Sequence, residues 1–364
     1  MEKIHLTRKI QLLIDSPDND YRYEARGKIM TWQNACFRCA NLVYTHQFIQ
    51  EQIKDMVYLT EGIKLKVTDA GKDPDGILTS SRTNSTYKVL TQHFKGVLPS
   101  NIYNNLNNML VGTFSQDKVH YHNGERSIKN FKKDIAMPFS GACLRKLTEV
   151  KEDAYFTFAL FGIPFQTYLG RTFDDKRELL RGLINGNYKL ATSYLKIEDH
   201  KKIYLLATFE QDKEVHLLNE EVIAEASLSL EHPLVVKIGK VQLTIGNKEE
   251  FLYRRLSMQA ARRRAQKSCA TNKAGHGRKR KQKPLEKFRH MERDYIDYKL
   301  HVYSRRLIDF CLKYHAATLI LAGQVEKEES AKEESFVLRN WSYGRLKEKI
   351  AYKADRAGIN LIVE

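Results

Sequence analysis

The chain has 364 residues, 42% of them hydrophobic, which is enough for two or more packed domains. Its 61 Lys and Arg outnumber its 44 Asp and Glu, so the formal net charge at pH 7 is +17. An excess of this size favours a polyanionic partner. Nucleic acid is the first candidate, with an anionic membrane surface as the alternative. The sequence has neither a signal-peptide pattern nor an apolar run of about 18 residues, so we expect a cytoplasmic protein without a membrane segment.

Strand and helix patterns alternate in blocks along the chain. Residues 1–15 alternate like a strand, and short strands separated by turn signals occupy 134–245. Between these blocks, apolar residues follow helical spacing near 23–58, 81–95 and 99–115. After Glu249 we predict helices at about 249–270, 284–315 and 341–357, with one buried strand ending at Ala322. The order predicts a multidomain α+β protein with a mixed α/β layer at its carboxyl end.

The five cysteines are scattered through the chain, which is typical of reduced thiols in a cytosolic protein. Cys36 and Cys39 form a CxxC pair inside a helical pattern. A structural zinc site needs four ligands, and no second pair follows at suitable spacing. We therefore expect both thiols to pack in a core, with metal binding as the alternative.

A basic segment, residues 254–306, carries most of the net charge. It holds 18 Lys and Arg against four Asp and Glu, which is +14 of the total +17. Glycines at 275 and 277 flank its centre and would let the backbone approach a phosphate closely. A solvated linker or a localisation signal is the alternative. An apolar stripe is predicted to tie the following helix to a core, and its members are Phe288, Met291, Tyr295, Tyr298 and Val302.

The cations of this segment are the predicted contacts to the sugar-phosphate backbone of RNA or DNA. Together with one histidine, the candidates are Arg254, Arg255, Arg262, Arg263, Arg264, Lys267, His276, Arg278, Lys279, Arg280, Lys281 and Lys283. Each phosphate that they neutralise should steepen the salt dependence of binding.

Several long motifs occur together in the order of one known family. IGNKEEFLYRRLSMQAARRRAQKS, GHGRKRKQKPLEKFRH and LRNWSYGRLKEKIAYKADRAGI resemble the RuvC-like half of the compact type V-F CRISPR effectors and the related TnpB proteins. TWQNACFRCANLVYTHQFIQEQIKDMVYLTEGIK, DPDGILTSSRTNSTYKVLTQHFKG and SNIYNNLNNML resemble the amino-terminal part of the same family. The resemblance implies a helical recognition lobe, a β-barrel-like wedge domain and an RNase H-like RuvC α/β domain.

The resemblance also implies where these domains begin and end. Residues 1–22 would be the first wedge strand, 23–133 the helical recognition domain and 134–218 the β-rich continuation of the wedge. Residues 219–364 would be a degenerate RuvC-like domain, truncated before the family's zinc ribbon. In the recognition domain, polar and aromatic side chains could read a target-adjacent DNA motif or contact only the DNA backbone. The candidates are Arg82, Asn84, Tyr87, Tyr103, Asn104 and Asn107.

The sequence departs from the family at the nuclease site. Active relatives need carboxylates at three places, because hard divalent cations are held by oxygen ligands. Ala226 stands at the first place, Ala322 and Gly323 stand at the second, and the third would follow residue 364. Strand alternation points the adjacent Glu225 to the opposite face. The resemblance therefore predicts a site without catalytic residues, a protein that is not an enzyme, and no bound metal or cofactor.

These features together predict a nuclease-inactive, RNA-guided DNA-binding protein of the bacterial cytoplasm and nucleoid. Its partners would be a guide RNA and a DNA duplex that opens into an R-loop, and one or two copies of the chain could be present. It would regulate transcription by bringing an extracytoplasmic-function sigma factor and RNA polymerase to a promoter, with repression by steric blockade as the alternative. The sequence also leaves open an active metal-dependent nuclease that uses Glu225, Glu326 or Glu364, and a guide-independent RNA-binding subunit.

Overall fold

The structure, a computed structural model, describes most of the chain. The described residues are 3–56, 81–150, 155–170, 175–198, 202–213, 215–227, 232–270, 276–322 and 343–364. The chain divides into two compact units, Lys3–Gln211 and Asp212–Glu364. None of the helices in the described ranges is long and apolar enough to span a membrane.

The first unit combines a helical layer with one large sheet. Its helices are α1 (Asn19–Met56), α2 (Arg82–Phe94), α3 (Ser100–His122) and α4 (Lys176–Ile184). Its strands are β1 (Lys3–Ile14), β2 (Met137–Phe139), β3 (Leu144–Val150), β4 (Tyr155–Leu160), β5 (Ile163–Tyr168), β6 (Lys189–Leu190), β7 (Ser193–Glu198) and β8 (Lys202–Asp212). The predicted limits at residues 22, 133 and 218 stay predictions.

The sheet of the first unit is open, so the prediction of a barrel-like domain is wrong. The strand order is β2-β7-β8-β1-β5-β4-β3, with β6 paired to β8. Within the described residues, β2 and β3 form the two edges and do not pair with each other. Alternation along each strand predicts that a sheet forms. Closure depends instead on whether the two edge strands pair with each other, and alternation carries no information about that.

Local sequence explains why β1 lies across the middle of this sheet. Ile4, Leu6, Ile10 and Leu12 are buried at every second or fourth position, and the residues between them face outward. β1 pairs antiparallel with β5, so that Gln11 faces Tyr168. A strand with one apolar and one polar face fits a sheet that buries one side against helices.

A two-residue turn joins β4 and β5. Phe161 and Gly162 both have left-handed backbone conformations, with φ of 52° and 80°. Glycine adopts this conformation at little cost, but a phenylalanine does so only with compensation. The Phe161 ring packs edge-on against Trp32 (5.8 Å between centroids) and Phe139 (5.9 Å). The turn is thus held in place by aromatic contacts to α1 and β2.

The CxxC pair is part of the core of the first unit. Cys36 and Cys39 on α1 are both 0% exposed and belong to the same apolar cluster as Trp32 and Val43. Burial raises the pKa of the Cys36 thiol to about 12 and raises the pKa of Cys39 as well. Both thiols therefore stay protonated at neutral pH, and packing explains the pair.

In its described residues the second unit consists of a five-stranded sheet and three helices. Its strands are β9 (Asn219–Ser227), β10 (Leu234–Ile238), β11 (Val241–Ile245), β12 (Ala316–Ala322) and β13 (Asn360–Val363). Its helices are α5 (Lys248–Ala270), α6 (His276–Lys313) and α7 (Tyr343–Ala357). The order is β11-β10-β9-β12-β13. β10 is antiparallel to both β9 and β11, whereas β12 runs parallel to both β9 and β13.

Helix α6 differs from its prediction in two ways. It begins at His276 rather than near Pro284, because a proline inside a helix removes only one hydrogen bond and the flanking turns continue. The predicted stripe is confirmed in part, since Tyr295 and Val302 pack against the core whereas Tyr298 is 63% exposed. The core face of α6 consists of Ile296, Leu300, Tyr303 and Leu307, spaced by four, three and four residues.

Gly112→Ala and Gly182→Ala form a matched pair of substitutions in two helices of the first unit. A Cβ at Gly112 in α3 meets nothing within 4 Å, so we expect Gly112→Ala to raise the free energy of unfolding by about 0.5–1 kcal/mol. A Cβ at Gly182 in α4 would lie 2.1 Å from the ring of Tyr188, so we expect Gly182→Ala to lower the free energy of unfolding by about 1–3 kcal/mol. Chemical denaturation measures both values. Equal shifts would contradict the close packing of Tyr188 on α4.

Candidate nucleic-acid interface

Helices α5 and α6 form an antiparallel hairpin. Phe251 on α5 stacks on Tyr295 of α6, with 5.8 Å between ring centroids. Lys299 Nζ donates to Glu250 Oε1 at 2.6 Å, on the same side of the hairpin base. Residues further along α5 contact residues earlier in α6, so the two helices are antiparallel. The two basic halves of the predicted segment thus run side by side.

Arg255 holds this hairpin together and is not on its surface. Its side chain is 2% exposed, and its Nε and Nη2 donate to Glu292 Oε1 at 2.9 and 2.8 Å. The guanidinium also lies 5.7 Å from the centre of the Phe251 ring. A buried cation that is paired with a carboxylate is not offered to a phosphate. The assignment of Arg255 as a backbone contact is therefore corrected.

Five further candidate cations on α5 are exposed. They are Arg254, Arg262, Arg263, Arg264 and Lys267. Among the residues that the structure describes, none of these five has an ion-pair partner. The five positive charges therefore lie at the surface of α5.

The hairpin register brings the remaining candidates to the same end. Each step along α5 is matched by a step back along α6, so residues 262–267 lie beside residues from about 280 to about 285. That part of α6 includes Arg280, Lys281 and Lys283, and His276, Arg278 and Lys279 lie in the turns before it; the side chains of all six are outside the described set. The backbone from 276 to 283 is helical, so the linker alternative does not fit this stretch.

One face of α5 also carries exposed apolar side chains that the sequence analysis missed. Tyr253 is 77% exposed and Leu256 is 49% exposed. At about 100° per residue they share a face with Arg263, Arg264 and Lys267. A ring beside a row of cations can stack a base while the cations bind phosphates. The helical spacing was visible in the sequence, but the exposure of Tyr253 was not.

The target-adjacent candidates separate into core and surface residues. Tyr103 and Asn107 on α3 are 3% and 1% exposed. Asn107 Nδ2 donates to the Thr83 carbonyl oxygen at 3.1 Å, and Tyr103 packs against Tyr87 with centroids 5.7 Å apart. These contacts join α2 to α3. Polar side chains buried between helices usually form hydrogen bonds inside the protein, so Tyr103 and Asn107 have a structural role here.

The remaining target-adjacent candidates are on or near the surface. Asn84 and Asn104 are exposed, while Tyr87 is half-buried. The side chain of Arg82 lies outside the described residues. Asn84 and Asn104 are therefore the members of this group that the structure offers to a partner.

Two alanines occupy places predicted for metal-binding carboxylates. β9 and β12 are parallel neighbours, in which Ala226 pairs with Leu321 and Ala322 pairs with Ser227. Paired residues of neighbouring strands share a face, so the two alanines lie on adjacent strands but on opposite faces of the sheet. Ala226 is 1% exposed and packs in the core of the second unit.

Carboxylates near these alanines are few. Glu225 is exposed on the face opposite Ala226, as strand alternation predicts. Glu364 follows β13, and its backbone N–H donates to the Leu321 carbonyl oxygen at 3.0 Å. Gly323 and Glu326 lie outside the described residues. In the described part of the chain, no group of three or more His, Cys, Asp or Glu side chains is placed to hold a metal ion.

Comparison with known proteins identifies relatives that match part of the sequence. No protein-family profile matches the chain. The CRISPR-associated endodeoxyribonuclease Cas12f1 of Sulfoacidibacillus thermotolerans is 27% identical over 198 residues, which are 53% of this chain and 45% of that protein. The protein of the same name from Syntrophomonas palmitatica is 34% identical over 90 residues, 24% of this chain and 17% of that protein. The match spans less than half the length of either relative.

One solved structure is similar in fold along nearly the whole chain. It is the cryo-EM structure of a Cas12f1–sgRNA–target DNA complex, with a TM-score of 0.68. The alignment covers 99% of this chain and 88% of that one at 14% identity. At this identity the likeness establishes the fold, which confirms the mixed α+β class.

Arg255→Ala and Arg264→Ala remove the same charge from two faces of α5. The first leaves Glu292 without its buried partner, so we expect a loss of about 3 kcal/mol in the free energy of unfolding. The second removes an exposed side chain, so we expect a change within about 0.5 kcal/mol. Thermal and denaturant unfolding give both values. A small effect at Arg255 would show that the hairpin does not depend on the ion pair.

Proposed function

We propose that the chain is a compact type V-F CRISPR effector that binds a guide RNA and a complementary DNA target without cutting the DNA. The bound complex regulates transcription. One combination carries the proposal: a hairpin with exposed, unpaired cations joined to a sheet that has alanines where carboxylates are expected.

The hairpin supports nucleic-acid binding by its charge and its shape. Arg262, Arg263 and Arg264 project from one end of α5, and the residues from 276 to 283 continue the basic sequence on α6. In RNA-guided proteins, base pairing reads the target, and the protein follows the heteroduplex by its backbone and geometry. A rigid row of cations suits that task because it needs no base-specific contact. The similar Cas12f1 structure contains sgRNA and target DNA.

The sheet supports binding without cleavage. Two-metal catalysis needs several carboxylate oxygens around cations about 4 Å apart. Ala226 and Ala322 stand at two of the three expected places and offer only methyl groups, although the two lie on opposite faces of the sheet. β12 separates the strand of Glu225 from the strand that Glu364 follows, so these two strands are about 10 Å apart across the sheet. Among the described residues neither carboxylate belongs to a group of three or more side chains that could hold a metal ion, which argues against the rearranged nuclease.

Regulation follows from stable occupancy of DNA. A complex that opens a duplex and does not cut it blocks polymerase at that site, and repression needs nothing more. Activation needs a recruited partner. For the latter we propose an extracytoplasmic-function sigma factor with RNA polymerase, on the resemblance alone. Sites for that partner, and a second copy of the chain, are not assigned to particular residues.

The cleavage prediction is tested with the assembled guide complex and a matching duplex. We expect a stable shifted complex and intact DNA in Mg²⁺ or Mn²⁺, because the described acids do not surround a metal site. An active Cas12f1 assembled with its own guide is the positive control for the metal conditions. Metal-dependent cleavage that follows the guide sequence would overturn the nuclease-inactive proposal. Binding that is unchanged by a scrambled guide would instead favour a guide-independent RNA-binding subunit.

The regulatory prediction is tested by purifying the tagged protein from its own host. We expect a discrete RNA of defined sequence to copurify, since the hairpin cations need a polyanion to offset their charge. A sigma factor or polymerase in the same fraction supports activation, and a guide alone favours repression. The control is the same purification with Arg262, Arg263 and Arg264 replaced by alanine, which should recover less RNA. A fraction without defined RNA would contradict RNA guidance.

A further inference from the structure

A cavity in the first unit is lined by three cations. It has a volume of about 320 Å³ and lies where β1, α1, β5 and β8 meet. Arg22 and Arg26 enter it from successive turns of α1, and Lys202 enters from the start of β8. Of the described residues that line it, none is Asp or Glu. Three like charges around one cavity without a carboxylate favour an anionic occupant.

Arg22 is held in position by neutral acceptors. Its Nε donates to the Ser16 carbonyl oxygen at 2.5 Å, and its Nη1 donates to Asn19 Oδ1 at 3.3 Å. Neither acceptor carries a negative charge, so the guanidinium is oriented without being neutralised. Arg26 and Lys202 form no ion pair with any residue in the described ranges. Their charges are therefore available inside the cavity.

The other described lining residues are the amides of Gln11 and Gln166 and the apolar residues Leu12, Leu13, Ile14 and Ile203, and Tyr168 on β5 lies next to this lining. Gln11 and Leu13 on β1 face Tyr168 and Gln166 on β5 in the antiparallel register, so all four lie on the same sheet face. Leu13 is 38% exposed and Tyr168 is 57% exposed. Glutamine amides can both donate to and accept from base edges or a ribose, and an exposed ring beside them can stack on a base.

We propose that this cavity binds one nucleotide from a single-stranded segment of RNA. Arg22, Arg26 and Lys202 hold its phosphate, while the base and ribose lie against Gln11 and Gln166. The volume is at the lower end of the range for small-molecule sites and is much larger than one phosphate needs. Single-stranded RNA is recognised through bases that have left the stack, which suits a cavity better than a flat surface.

The proposal deepens the proposed function, because it assumes that the chain binds RNA. Two sources could supply the phosphate. A terminal monoester carries about two negative charges near neutral pH, and an internal diester carries one. Both are phosphates of the same polymer, so the same residues would recognise them.

The test uses the full-length protein with a labelled ten-nucleotide RNA that carries either a 5′-phosphate or a 5′-hydroxyl. Arg26→Ala and Lys202→Ala are the test variants, because Arg22 also supports the backbone at Ser16. We expect each to weaken RNA binding about tenfold, the loss for one charge-assisted hydrogen bond. Lys28→Ala removes a cation from the same helix outside the cavity and should change little. Melting temperatures should be unchanged in all three variants.

The outcomes separate the cavity from the hairpin. A loss confined to 5′-phosphorylated RNA supports the cavity with a terminal phosphate, and an equal loss for both RNAs supports it with a backbone phosphate. If Arg26→Ala and Lys202→Ala bind normally while Arg264→Ala is weakened, the cavity proposal is overturned and RNA binding by the hairpin stands. If the wild-type chain binds neither RNA, both proposals fail.

Discussion

The buried ion pair between Arg255 and Glu292 is the contact on which the candidate interface depends. The two helices of the hairpin carry many like charges, and their repulsion favours separation of α5 from α6. The pair, with the stacked rings of Phe251 and Tyr295, opposes that repulsion at the base of the hairpin. Burial makes the pair costly to break, since an unpaired Glu292 would be left partly inside the protein. The exposed cations beyond it are thereby held in one fixed row.

The sheet of the second unit shows why alanine fits at these strand positions. Ala226 packs in the core, and the parallel pairing of β9 with β12 rests on backbone hydrogen bonds and on Leu319 and Leu321. Metal-binding carboxylates repel one another and add nothing to such packing. Alanine at these positions keeps the sheet intact, and the proposed function without cleavage is compatible with that packing.

The hairpin and the cavity would recognise a nucleic acid in different ways. The hairpin presents Arg263 and Arg264 in the open, so it can follow any backbone, and its affinity should depend strongly on salt. The cavity surrounds its occupant with Arg26 and Lys202 on one side and glutamine amides on the other. An enclosed site can fix the position of one nucleotide, which an open row of cations cannot. The hairpin would therefore contribute affinity for the nucleic acid, and the cavity would fix the position of the RNA on the protein.

Features that depend on neighbours in the chain could be predicted from the amino-acid sequence. The concentration of charge identified the basic segment, and strand alternation predicted that Glu225 and Ala226 face opposite sides of the sheet. Helical spacing predicted that Cys36 and Cys39 lie in a core. Whether the large sheet closes, which arginine of α5 is buried and where the cavity forms became known only from the folded chain. Arg255 and Glu292 are 37 residues apart, and the cavity collects side chains from four separate elements. Periodicity and charge are local properties, whereas pairing between distant segments depends on how the whole chain packs.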